Sequence, residues 1–384
     1  MKKKGLVFSY HFLPYISAEA IVTYKLLSKN ENNLDICILK DLEASIDENI
    51  KIPNHIKIFE IKSKSKNWVF LMITYYIYCL KKYYSEKYDF IHSRTSPFFG
   101  HLPAMTIKRL NKNIPWIASF SDPISNNPYF IHWYKGKPAY FLFKWYGKYM
   151  ENYVYKHADR LIFNNEKQAK FMLSKYYDKY EKKITIIPHS YNPEWYPVKE
   201  ITNDKLIISH LGTLYDFRNA YNLFQALSLL NDTVDNLNNK IVFDFYGKMN
   251  KEHIDLIEEL KINQLVRIKG NCNYLESLKI MKNSDFLLMI DADLKEYFPE
   301  NIFFASKLAD YIGSSTSIIG ITGEKGISSE ILSRTNNLRI DNDIQAIYNE
   351  LLIIIHGKKW ESEICEDFSI DRVNRQLNEI IKNL

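Results

Sequence analysis

Short apolar runs alternate with helically spaced stretches twice along this chain, and that alternation restricts the fold most. In the first array, GLVFSY (5–10), LDICILK (34–40), HIKIFEI (55–61), YDFIHSR (88–94), IPWIASFSD (114–122), ADRLIFNN (158–165) and KITIIPHSYNP (183–193) read as strands. Between them, helical spacing occupies 18–29, 67–84, 97–111, 138–156 and 166–176. A Pro-bounded segment at 188–205 follows, and the pattern restarts. Strands are expected at 206–212, 240–247, 266–270, 285–290 and 317–323, with helices between the strands 240–247, 266–270 and 285–290 and at 219–232, 307–313, 342–355 and 369–384. Strands alternating with helices require parallel sheets covered on both faces, so two doubly wound α/β domains are expected. Their bounds are 1–195 and 203–365, with a separate terminal helix over 366–384.

The 384 residues suffice for a core in each domain. Net charge is +6 but uneven. Through residue 195 there are 30 Lys+Arg against 17 Asp+Glu, and 21 against 28 after it. A basic first half is suited to a polyanionic surface. The basic residues are spread over many helices rather than clustered, which argues against nucleic acid. Cys37, Cys79, Cys272 and Cys365 are scattered without a CxxC, so neither zinc nor a disulfide framework is expected. The longest apolar run, NWVFLMITYYIYCL (67–80), is shorter than the ~20 residues that span a bilayer. A soluble or membrane-peripheral protein in a reducing compartment is expected.

Ligands in open α/β sheets sit beyond the carboxyl ends of the strands. HLGTLYDFRN (210–219) places Gly212 and Thr213 where backbone can approach an anion, with Arg218 available for charge-assisted bonds. FYGK (245–248) adds Gly247 after another strand. In ENIFFASKLADYIG (300–313), Ser306 and Lys307 open a helix and could face phosphate, and Asp310 could accept from a ribose diol. Equally, Ser306 reads as an N-cap and Asp310 as a carboxylate complementing the helix dipole. Asp291-Ala-Asp293 is a metal-gripping pair or a chance motif. Asp122, after a strand, either orients or deprotonates a hydroxyl or forms an Asp-Pro turn. His11, His92, Arg94 and His101 fit either a site or the core. GxSxG, HExxH, Walker A and GxGxxG motifs are absent.

Taken in order, several segments resemble the retaining GT-B glycosyltransferases of family 4, which include many bacterial capsule and lipopolysaccharide sugar transferases. They are FLPYISAEAIVTYKLL, WIASFSDPISNNPY, ADRLIFNNEKQAKFM, IIPHSYNP, HLGTLYDFRN, FDFYGK and FFASKLADYIGSSTSIIGI. The chain departs from the family at Ile16-Ser17-Ala18, where two glycines are common, and at Ser121, where histidine often precedes the aspartate. In the Glu-x7-Glu element, Asp310 matches the second glutamate and Ile302 falls at the first, with Glu300 and Asn301 beside it.

The resemblance implies a GT-B fold, two Rossmann-like doubly wound domains facing a central cleft, with the last helix crossing back to the first domain. It implies a nucleotide-diphosphate sugar held by Gly212, Thr213, Gly247, Ser306, Asp310, Glu300 and Asn301. Asp122, Arg218 and Lys307 would act on the reacting groups, with no metal or other cofactor. A glycan or polyprenyl-linked acceptor would sit on the first domain. The aromatic-basic stretches 67–84 and 133–156 would lie on an anionic membrane, at the inner face of the cytoplasmic membrane, or fill the core. A sugar-nucleotide epimerase or hydrolase, or an inactive assembly partner of the same fold, is the alternative.

Overall fold

A computed structural model describes residues 2–40, 46–47, 49–62, 67–95, 98–134, 136–200, 204–215, 217–358 and 360–384. The expected domain start at 203 lies outside the described residues. Two compact units are present: Met1–Ser190 with Ile370–Leu384, and Tyr191–Ser369.

The first unit is built on seven strands: β1 (Lys4–Phe8), β2 (Asn33–Leu39), β3 (Ile56–Ile61), β4 (Phe90–Arg94), β5 (Trp116–Phe120), β6 (Arg160–Phe163) and β7 (Ile184–Ile186). They lie in the order β3-β2-β1-β4-β5-β6-β7. Every pair is parallel, with Gly5 of β1 registered on Leu34 of β2 and Phe90 of β4. The order reverses between β1 and β4, the switch point at which open sheets leave a crevice.

The second unit repeats the plan with β8 (Leu206–Leu211), β9 (Ile241–Tyr246), β10 (Val266–Gly270), β11 (Phe286–Ile290), β12 (Ser317–Ile321) and β13 (Leu338–Ile340). Their order is β10-β9-β8-β11-β12-β13, again all parallel, with the switch between β8 and β11. Alternation along these strands feeds two cores. Ile208, Phe243, Phe245, Leu288 and Ile290 pack on one face, and Leu211, Leu287, Met289 and Ile318 on the other. Burial on both faces is why the strands read as unbroken apolar runs.

Local signals set the helix starts. Ser17, Asn67, Asn165, Asn250, Asn273 and Asp343 each accept a backbone N–H from the first turn. The stretch 97–111 differs from its sequence reading. A 3-10 turn, Phe98–His101, precedes the helix Leu102–Leu110, with Pro103 accommodated in the first turn, where no intrahelical donor is needed. β13 and the helix Ile327–Arg334 have no counterpart in the sequence reading.

The helix Ile370–Lys382 packs on the helix Ala18–Leu27 within the first unit. Asn374 is buried there. Its Nδ2 donates to Lys25 O (2.7 Å) and Ile370 O (2.8 Å), and its Oδ1 accepts from the Lys29 N–H (3.0 Å). The Lys29–Asp371 ion pair at 2.9 Å and the Glu31 N–H bond to Asn378 Oδ1 add to the seam. Asn374→Ala leaves two backbone groups unpaired and is expected to destabilise the first unit by about 2–4 kcal/mol. Chemical denaturation followed by circular dichroism measures this; a loss below about 0.5 kcal/mol would show that the seam does not depend on Asn374.

Candidate active site

In the second unit, the loops after β8, β9 and β10 are stitched by backbone. The Gly212 N–H donates to Tyr246 O (2.7 Å), the Leu214 N–H to Lys248 O (3.1 Å), and the Gly247 N–H to Gly270 O (2.8 Å). Gly212 (φ +133°) and Gly247 (φ +123°) hold backbone that favours glycine. A Cβ on Gly247 would come within 2.6 Å of Gly212 O and 3.1 Å of the Thr213 nitrogen. At Gly212, a Cβ would lie 3.3 Å from Lys307 Nζ, so the missing side chain leaves the space that this lysine fills.

Lys307 is the second residue of the helix Ser306–Ser314. Ala305, not Ser306, is the N-cap, and no side chain caps this end. The leading amides therefore keep their capacity for an anion. Leu308, Ala309, Tyr311 and Ile312 anchor the helix in the core, and the Tyr311 hydroxyl accepts from the Leu211 N–H at 2.9 Å. This bond ties the helix to the end of β8.

Lys307 Nζ donates to His210 Nε2 at 3.3 Å. His210 Nδ1 lies 2.9 Å from Leu288 O, a pure acceptor, so the ring proton is on Nδ1 and Nε2 presents its lone pair. Burial first, then the Lys307 charge, hold His210 well below the usual histidine range. Lys307 is itself pushed far down by burial and then by the Arg218 guanidinium, with Asp291 opposing. Asp291 is buried, and burial raises it against the pull of Arg218. Its Oδ2 accepts from Thr322 Oγ1 (3.1 Å) and its Oδ1 from the Ala292 N–H (3.0 Å).

The Asp293 N–H donates to Phe217 O (2.8 Å) and so joins the loop of Asp291 to the loop of Arg218. Arg218 lies over the Tyr215 ring at 5.9 Å. Its Nε is buried with no hydrogen-bond partner among the described residues. Two basic side chains thus meet one carboxylate beside an uncapped helix end, an arrangement suited to an anion.

Asp291, Asp293, Glu300, Asn301, Thr322 and Lys325 help line an adjoining cavity of about 320 Å³. The Asn301 amide shapes this loop, donating to Ala292 O (3.3 Å) and accepting from the Phe303 N–H (3.0 Å). Asp310 sits one turn into the helix and is buried. Its Oδ1 accepts from Tyr274 (3.1 Å) and Tyr196 (3.4 Å), and Tyr196 also reaches Asp310 O at 2.8 Å. Arg218, Lys307, Gly212 and the turn at Gly247 are therefore neighbours, Glu300 and Asn301 line the cavity, and Asp310 faces two phenols. His210 was not among the expected site residues, and Asp291 was expected only as part of a metal-gripping pair or a chance motif.

In the first unit, Asp122 follows β5. It makes no hydrogen bond among the described residues, and burial, then the nearby Glu19 carboxylate, push its carboxyl up to about 7. Glu19, in the first turn of Ala18–Leu27, is raised by burial and held back by Arg94 and the Ser121 hydroxyl. Ser121 Oγ lies 3.0 Å from Glu19 Oε2, and Arg94 Nη2 lies 3.8 Å from it. His92 and His101 belong to the core. His92 Nε2 meets Ser119 Oγ at 2.7 Å, and His101 Nδ1 meets Ser93 Oγ at 2.7 Å. Burial drives both down to about 3. Among the described residues no group of three or more His, Cys, Asp or Glu gathers that could hold a metal ion.

Between pH 4 and 7 the folded state keeps a proton on Asp122 that the unfolded chain has released. Its contribution therefore lowers stability as pH rises through that window. Asp122→Asn is expected to raise the thermal unfolding midpoint by a few degrees at pH 8 and hardly at pH 4.5. Equal shifts at both pH values would rule out a buried carboxyl as the cause.

Residues 25–195 match the model of Glycosyltransferase Family 4. No curated protein matches the chain by sequence. Among solved structures, sucrose-phosphate synthase from Thermosynechococcus elongatus superposes with a TM-score of 0.71 at 14% identity, covering 100% of this chain and 99% of that one. WaaG, a glycosyltransferase involved in lipopolysaccharide biosynthesis, gives 0.63 at 11% identity over 99% and 95%. A UDP-N-acetylglucosamine 2-epimerase gives 0.63 at 12% identity over 100% and 98%. The chain thus has the GT-B fold of two Rossmann-like units, and residues 25–195 of it match Glycosyltransferase Family 4.

Proposed function

We propose that the protein is a retaining, metal-independent glycosyltransferase. It moves a hexosyl group from a nucleotide-diphosphate sugar to a hydroxyl of a glycan or polyprenyl-linked glycan. The family match over 25–195 and the GT-B fold support sugar transfer in general. The observation that carries the donor assignment is the Arg218–Lys307 pair, opposed by Asp291 alone beside the uncapped helix Ser306–Ser314. A diphosphate supplies the missing negative charge, and the Ser306–Lys307 amides and the Gly212–Thr213 backbone bind its oxygens. The polar cavity around Glu300 and Asn301 takes the sugar hydroxyls. Asp310, held in place by Tyr196 and Tyr274, is the carboxylate assigned to the ribose.

In the reaction, the bond from the anomeric carbon to the diphosphate oxygen breaks while the acceptor oxygen bonds to the same face of that carbon. The acceptor proton passes to the departing phosphate oxygen, and Asp122 orients the hydroxyl. Arg218 and Lys307 stabilise the charge that develops on the leaving group. WaaG's role in lipopolysaccharide synthesis favours a bacterial surface glycan as the product, and on this reading it is made at the inner face of the cytoplasmic membrane.

Lys307→Ala is expected to lower kcat/KM by about 10²–10³-fold with an unchanged unfolding midpoint. The donor is found by thermal-shift screening with UDP-, GDP-, ADP- and CMP-sugars, and near-normal turnover by the variant would remove Lys307 from the mechanism. Because burial and Arg218 depress Lys307, diphosphate binding is also expected to take up a proton and weaken as pH rises. Calorimetry in buffers of different ionisation enthalpy measures this uptake; its absence would mean that Lys307 does not contact the ligand. The epimerase-like fold keeps one rival. Release of free sugar or an epimer without acceptor would favour it, and no affinity for any nucleotide sugar would favour an inactive partner.

A further inference from the structure

Three helices of the first unit, Trp68–Ser85, Leu102–Leu110 and Pro138–His157, line an open cavity of about 310 Å³ that the proposed reaction does not use. Its volume falls within the range of small-molecule sites. Met72, Leu102 and Met105 and the rings of Tyr76, Tyr149 and Tyr153 form most of its wall. The Tyr76 hydroxyl bonds Thr106 Oγ1 at 2.9 Å, so these two polar groups satisfy each other. Arg109 is the charged residue of the lining, and it makes no hydrogen bond or ion pair among the described residues.

Around the cavity the same helices expose large apolar side chains. Trp145 is 78% exposed, Phe70 60% and Phe141 59%, and Ile73 and Tyr149 belong to both the lining and the exposed face. Charge on these helices is one-sided. Lys81, Arg109, Lys144, Lys148 and Lys156 are exposed. The one carboxylate, Glu151, is buried and accepts from the Ile124 and Ser125 amides. Exposed rings among cations that make no ion pair among the described residues match the interface of an anionic bilayer. A nucleic acid would instead need open ring faces along a basic track, whereas these rings wall a cavity together with Met and Leu.

We propose that this cavity holds one hydrocarbon chain of an anionic lipid, with Arg109 at the headgroup phosphate and the flanking rings in the bilayer interface. This rests on the membrane-surface part of the function proposed above and is independent of sugar transfer itself. The probes are lysophosphatidylglycerol below its micelle concentration and vesicles of phosphatidylglycerol or phosphatidylcholine, with binding followed by calorimetry and flotation. Wild-type protein is expected to bind one lysolipid saturably, about tenfold more weakly for each two methylenes removed. Thr106→Trp, which fills the cavity, and Arg109→Glu, on the exposed rim, are each expected to weaken lysolipid binding about tenfold, the second also removing the preference for phosphatidylglycerol.

Unchanged lysolipid binding by both folded variants would overturn the proposal. So would displacement of the lysolipid by a single-stranded oligonucleotide. Vesicle binding without saturable lysolipid binding would overturn the cavity assignment and leave the membrane surface standing. No binding to either lipid form would remove both, and sugar transfer from a soluble donor would then be judged separately.

Discussion

Lys307 shares a corner of the second unit with Arg218, whose charge adds to burial in depressing it, and with Asp291, which opposes them. Like charges taken out of water repel strongly, so the surrounding structure must compel them together. The compulsion is apolar. Leu308, Tyr311 and Ile312 lock the helix Ser306–Ser314 into the core, and the Tyr311–Leu211 bond fixes its height against β8. Gly212 then leaves a gap of one side chain, and His210 offers a lone pair rather than a proton. The tertiary fold thus places two basic groups where a bound diphosphate would meet both in the proposed reaction.

The first unit handles charge in the opposite sense. Asp122 and Glu19 are both biased towards the protonated form, and Arg94 restrains only Glu19. The nearby His92 and His101 are held neutral by burial, His101 beside the Phe120 ring. The corner around Arg218 and Lys307 thus sets one buried carboxylate against two basic groups, whereas the first unit carries two carboxyls biased towards their protonated forms. That division suits a phosphate-rich ligand on the second unit and a hydroxyl-bearing one on the first.

Much of this architecture was legible because strands buried on both faces announce themselves as unbroken apolar runs, as in DFLLMI and KIVFDFY. β13 was not legible, since three residues between Asn336-Asn337 and Asp341-Asn342 carry too little periodicity. Ile327–Arg334 hid for a similar reason, with its buried apolar positions, Ile331 and Leu332, adjacent rather than spaced. The glycines after β8 and β9 and the lysine of SKLADYIG could be read as a cluster because topology brings strand ends together. The tautomer of His210 could not, because Leu288, 78 residues away, determines it. Glu19 was missed likewise, as its hydroxyl partner Ser121 lies 102 residues downstream.

The first unit includes Ile370–Leu384, so its chain is interrupted by the whole of Tyr191–Ser369. During synthesis, Ala18–Leu27 leaves the ribosome long before the helix that covers it. Until then the Lys25 carbonyl and the Lys29 amide face water instead of Asn374. Completion of the amino-terminal unit thus waits on the translation of its neighbour, and nascent chains stalled within the second unit would display an unfinished first one.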